Sequence, residues 1–247
     1  MATLIEKEIE SSKKYNLSTW TIEYMGNSIK IARISKPNIA LVEAFIHNDS
    51  DYYVKKNPTP WDSEYWFAKL KEILLNGERV SKKEYQDIIS NAVKRVDITN
   101  STHLNGDNAG WTEIPERISK IPKKTLVKYL KEPKGTNYKL YEIIKARTSA
   151  PKRARENASF ASKFCAEACL NLFKGTKYED NYSKFDNVVK KALPYYAQYY
   201  NINITKLDLN IYQDYQLIID KIRNKSTVKI SRYAFDHLLW YYFKARI

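Results

Sequence analysis

The chain has 247 residues, of which 43% are hydrophobic and 28% charged, a balance that supports a packed core and excludes a disordered chain. Its 42 Lys and Arg against 28 Asp and Glu leave a net charge of +14, which points to a polyanionic partner, nucleic acid before an anionic membrane surface. Two cysteines exclude a disulfide framework and fit a reduced cytoplasmic setting, the cytosol or nucleoid of a bacterial-type cell, while the absence of a long apolar run excludes a bilayer span and the charged start MATLIEKEIESSKK does not suit a signal peptide.

Residues 1–15 read as a short charged helix. TWTIEYMGNSIKIARI then reads as a β-hairpin, with Trp20, Ile22 and Tyr24 alternating on one strand, Ile29 and Ile31 on the other, and Gly26-Asn27 as the turn. NIALVEAFI fits a strand or a helix by periodicity. Pro58 and Pro60 mark a boundary, and helical signals follow. Asp62 caps DSEYWFAKLKEILL, which ends before Gly77. Ser81 and Glu84 form a capping box for KKEYQDIISNAVKRV. Residues 97–113 read as a polar loop long enough to suggest a function. Helices resume at PERISKI, KKTLVKYLK and YKLYEIIKAR, break at TSAPKRAREN, and return at SFASKFCAEACLNLF. After KGTKYEDNY comes SKFDNVVKKALPYYAQYY, where Pro194 should kink or end the helix. YQDYQLIIDKIRN and SRYAFDHLLWYYFKAR close the chain. The expected class is mainly α with a small N-terminal β element, residues 1–60 forming an α/β element and 61–247 a helical domain.

The basic excess is uneven. Residues 115–163 carry 14 Lys and Arg against four acids. A solvated surface interleaves both signs, whereas a one-sided excess suits phosphate. The densest point, Lys152-Arg153-Ala154-Arg155, precedes a helix N-terminus, where free N–H groups and the helix dipole also favour an anion. The twenty tyrosines suit core edges, and also base stacking.

The helix after that run starts near Asn157 or Ser159, either of which can cap it. Phe160, Phe164, Cys165, Cys169 and Leu172 share its apolar face, and both cysteines read as buried small apolar residues. Lys163 lies off that face, in the first turn, close to Arg153 and Arg155. A cationic neighbourhood at a helix N-terminus favours a neutral amine, and such a lysine can act as a Schiff-base nucleophile; a solvated surface lysine is the ordinary alternative. Asp186 falls at N3 of a helix capped by Ser183, or caps that helix itself. A carboxylate so placed can also stabilise an oxocarbenium-like sugar cation. The three histidines are scattered, and no zinc-ligand, phosphate-loop or hydrolase motif occurs, so neither a metal nor a small-molecule cofactor is expected.

ASFASKFC, a loop, and then YSKFDNVVKKAL resemble the active-site stretch of the helix-hairpin-helix DNA glycosylase superfamily, in particular its 8-oxoguanine DNA glycosylase branch. The resemblance implies Lys163, in Ala161-Ser162-Lys163, as the nucleophile and Asp186 as the stabiliser of the sugar cation. YKLYEIIKAR and TSAPKRAREN would form the first half of the hairpin. Ser159 and Ala161 stand where the family has hairpin glycines, so Lys152, Arg153 and Arg155, with Asn157, Ser159 and Ser162, become the DNA-contact candidates. Trp240, Asp236 and Tyr182 are the base-pocket candidates. The implied function is a monomeric DNA glycosylase excising a flipped, damaged or modified base, with or without lyase activity. The alternative is a non-catalytic nucleic-acid-binding protein of similar fold.

Overall fold

The computed structural model describes residues 17–48, 58–100, 102–104, 109–149, 156–244 and 246. The helix expected over 1–15 and the KRAR run at 152–155 lie outside the described residues. The architecture is mainly α with one two-stranded antiparallel sheet. The chain divides into two compact units, one formed by residues 1–53 with 185–247, the other by 54–184. The boundary expected at 60 therefore has a different meaning. The N-terminal element is not a separate appendage but shares a unit with the last three helices.

In that first unit, β1 (Thr19–Tyr24) pairs with β2 (Asn27–Ala32), with Tyr24 opposite Asn27. The two turn residues are thus Met25 and Gly26, one position earlier than expected. Both have positive φ, 50° and 77°, the conformation that a tight hairpin turn matching strand twist requires. The ambiguous NIALVEAFI belongs to a helix, α1 (Lys36–Asn48). Asn38 explains its placement: the side chain is 1% exposed, donates to the carbonyls of Ser18 and Arg33 at 2.8 and 2.9 Å, and accepts from Ser18 N at 3.0 Å. A buried amide with its donors and acceptor all satisfied fixes the angle at which the helix leaves the hairpin.

The other helices of this unit are α8 (Asn187–Tyr199), α9 (Tyr212–Lys225) and α10 (Arg232–Phe243). Ser231 caps α10 by accepting from Ala234 N at 3.0 Å. α8 is helical on both sides of Pro194, so the proline does not end it. Tyrosines anchor these helices to the hairpin backbone. The buried Tyr196 hydroxyl donates to Ala32 O at 2.7 Å, that of Tyr242 to Lys30 O at 3.2 Å, and Trp20 stacks on Tyr199 at 4.0 Å.

The second unit holds α2 (Ser63–Leu74), α3 (Lys82–Asn100), α4 (Ala109–Ser119), α5 (Lys123–Lys131), α6 (Lys139–Lys145) and α7 (Ala158–Leu172). Its core includes Phe67, Ile89, Val93, Ile114, Ile144, Phe160 and Cys165. Gly77, at φ 79°, follows α2 in the left-handed conformation that closes helices. Ser81 caps α3 through Glu84 N at 3.1 Å. The polar loop expected over 97–113 is shorter, because α3 runs on through Asn100 and α4 begins at Ala109. Asp97 accounts for this. Its buried carboxylate accepts from Thr102 Oγ1, from Leu104 N at 3.0 Å and from Trp111 Nε1 at 2.9 Å, so a polar sequence organises the helix connection from within.

Candidate active site

Lys163 is the sixth residue of α7, which begins at Ala158, so it occupies the second turn rather than the first, beyond the free N–H groups of the helix start. Its Nζ donates to the backbone carbonyl of Asn100 at 3.3 Å, the last residue of α3. The C-terminal end of a helix is where its dipole attracts a cation. One turn further along α7, Glu167 pairs with Lys184 at 2.9 Å, both side chains 12% exposed. The Lys184 amine also lies 3.5 Å from Asn100 Oδ1, and Asn100 Nδ2 donates to Val96 O at 3.0 Å. The two lysines therefore converge on one asparagine whose own rotamer is tied to α3. Glu64, in the first turn of α2, completes the cluster: burial above all, then the negative charge of Glu167, holds its carboxyl above the ordinary glutamate range.

The connection that leads into α7 is closed at its base. Asn157 N donates to Lys145 O at 2.8 Å, and its side-chain amide to Ala146 O at 3.3 Å. Arg117 clamps the same helix end, donating to Ala146 O at 2.7 Å and Arg147 O at 2.6 Å while pairing with Glu113 at 2.8 Å. The Ser149 hydroxyl and backbone N–H lower the Glu113 carboxyl below its ordinary range. These contacts correct two expected DNA contacts. Asn157 is 8% exposed and its side chain is bonded within the connection. Ser162 is fully buried, its hydroxyl donating to Ser159 O at 2.8 Å. Ser159 is exposed, and Lys152, Arg153 and Arg155 lie outside the described residues.

Several cations of the basic stretch have internal duties. Lys120 pairs with Glu116, Lys145 with Glu142 and Glu156, and Lys131 covers the rings of Phe173 and Tyr178. Lys124, Lys128, Lys139 and Arg147 are exposed. Cys165 and Cys169 are fully buried thiols outside any disulfide, as the sequence suggests; Cys169 Sγ donates to Leu130 O at 3.6 Å, and burial pushes the Cys165 thiol up. The described residues hold no cluster of metal-ligating side chains.

Asp186 belongs to the first unit. Of its two expected positions it takes the N-cap, Oδ1 accepting from Val188 N at 2.8 Å. Tyr215, fully buried, has its hydroxyl hydrogen-bonded to the Asp186 backbone. Burial first, and then the charges of Asp236 and Asp186, push that hydroxyl well up. Two carboxylates from α10 and the start of α8 thus flank one phenol of α9, which sequence spacing does not reveal. Asp236 is 6% exposed. Trp240, one turn along α10, is half-buried, with Lys244 Nζ 4.0 Å over its ring. The third base-pocket candidate is corrected: Tyr182, in the second unit, is 3% exposed and donates to Tyr129 O at 3.0 Å, which makes it a core anchor.

A surface cleft of about 350 Å³ lies elsewhere, lined by Trp66, Lys69, Ser81, Lys83, Glu84, Asp87, Ile88 and Asn91. It includes none of the catalytic, DNA-contact or base-pocket candidates read from the sequence. No family model, curated protein or solved structure matches this chain.

Proposed function

We propose that the chain is a DNA glycosylase that excises a flipped base, with Lys163 as nucleophile and Asp186 as stabiliser of the sugar cation. The observation that carries the reading is the order of parts along the chain. A helix and a connection closed by Asn157 lead into the helix bearing Lys163, and after one loop Asp186 opens the next helix. The second unit carries 26 Lys and Arg against 16 Asp and Glu, in keeping with a phosphate backbone as ligand.

In this scheme a target nucleotide leaves the stack, because its C1′ is out of reach inside a duplex. Lys163, held at the Asn100 carbonyl, gives up one proton and directs its lone pair at C1′. The C–N bond forms, the glycosidic bond breaks, and the base departs with the electron pair and takes up a proton. The Asp186 carboxylate offsets the positive charge that develops on the sugar. The nitrogen then gives up a proton, its electron pair forms the C=N bond as the C1′–O4′ bond breaks, and O4′ takes up the proton; the resulting ring-opened Schiff base is open to reduction by borohydride.

Borohydride trapping on a panel of lesion-bearing duplexes tests this. Wild-type protein should give a covalent complex with at least one lesion. Lys163→Gln should abolish it with duplex affinity nearly unchanged, and Asp186→Asn should slow excision roughly a hundredfold or more.

A second reading, a non-catalytic DNA-binding protein, is favoured by the structural work both side chains already do. Lys163 is bonded to a helix-end carbonyl, and Asp186 caps a helix. It predicts salt-dependent duplex binding, with every tested lesion left intact.

A further inference from the structure

We infer that the α2–α3 face of the second unit is a stacking platform for unpaired DNA bases, centred on Trp61; this rests on the nucleic-acid part of the proposed function but not on its chemistry. Trp61 is 75% exposed, whereas large apolar side chains usually find cover. A rigid turn holds it out. The Asp62 carboxylate occupies the cap position of α2 but accepts from Thr59 N and Oγ1, both at 2.8 Å. Trp66 Nε1 braces the same turn by donating to Pro60 O at 2.9 Å. Pro60 fixes the backbone just before the ring. The ring is therefore presented before any ligand arrives, which reduces the ordering cost of binding.

The surroundings select the ligand. The Arg95 guanidinium lies 4.6 Å from the Trp61 ring centroid. Lys69 lies 5.3 Å over the Tyr65 ring, and Tyr65 meets Trp66 edge-on at 5.0 Å. Aromatic rings alternating with cations form the surface that single-stranded nucleic acid uses, bases on the rings and phosphates on the charges. A protein partner with an apolar patch would not need cations over Trp61 and Tyr65. The unit's net charge of +10 opposes a second copy of the chain.

The test measures anisotropy of two labelled single-stranded probes that contain no excisable lesion: an oligothymidylate, and an abasic sugar-phosphate chain of the same length. Wild-type protein should prefer the oligothymidylate. Trp61→Ala should weaken that complex about tenfold, the scale of one lost base stack, and leave the abasic complex unchanged. Trp61→Phe should restore most of the loss. Because the ring is exposed, thermal unfolding should hardly move in either variant. Equal binding of both probes by wild type, an unchanged oligothymidylate affinity in Trp61→Ala, or a dimer that Trp61→Ala dissociates would each overturn the platform. Loss of the platform with trapping intact leaves the excision reading standing, and the reverse result removes excision alone.

Discussion

The residues around Lys163 show how a charged cluster can be kept inside a helical unit. Lys184 neutralises Glu167 at 2.9 Å with both groups largely out of water. Removing one partner of such a pair strands the other charge, which costs more than the pair itself contributes. Lys184→Met should therefore destabilise the protein by about 3 kcal/mol, measured by urea unfolding, with Glu167→Gln in the same background recovering much of the loss. Glu64 gives this cluster a pH signature. Its folded carboxyl titrates above its ordinary value, so its contribution to stability is fully present below that ordinary value and is lost as pH rises through the raised one. Glu64→Gln should gain stability relative to wild type as pH rises from the ordinary carboxylate range toward neutrality. The check is the difference in Tm between the two proteins across that window, and a constant difference would refute it.

At the scale of elements, short polar side chains decide where helices begin and how they join. Asn38 ties α1 to the hairpin, and Tyr196 ties α8 to β2. Tyr196→Phe keeps the ring packing but leaves a buried carbonyl without its donor, which should cost about 1–3 kcal/mol. Urea unfolding followed by circular dichroism measures it, and a variant as stable as wild type would show that another donor reaches Ala32 O. Much at this scale was legible in the sequence. The hairpin, the Ser81 cap and the long helices follow from local periodicity and capping chemistry. The departures arise where a distant contact outweighs local preference. Residues 97–100 read as loop because Asp, Thr and Asn favour turns, yet Asp97 is drawn inward by Trp111 and Leu104. Asp62 reads as a cap but turns back to Thr59. At the candidate site, Lys163 and Asp186 were readable from local pattern, and Glu167 sits one helical turn from Lys163. Asn100 and Lys184 were not, since they reach Lys163 or Glu167 across long sequence separations that no periodicity encodes.

For the whole molecule, the decisive feature is that one unit interrupts the other: residues 54–184 lie between the two segments, 1–53 and 185–247, that make up the first unit. Residues 54–184 have a core of their own, so that fragment expressed alone should be helical by circular dichroism and unfold cooperatively in urea. A fragment without a cooperative transition would contradict this. Residues 1–53 alone should lack cooperative structure, because the partners of the hairpin, Tyr196 and Tyr242, are far along the chain. During synthesis from N- to C-terminus, the interrupting unit can complete itself while the first hairpin still waits for its other half. The hairpin's pairing with α8 and α10 closes a loop of more than a hundred residues, a slow, non-local step. The nascent chain thus carries Trp20, Ile22, Ile29 and Ile31 without their final cover until residues 185–247 emerge, and that interval is when a chaperone has most to bind.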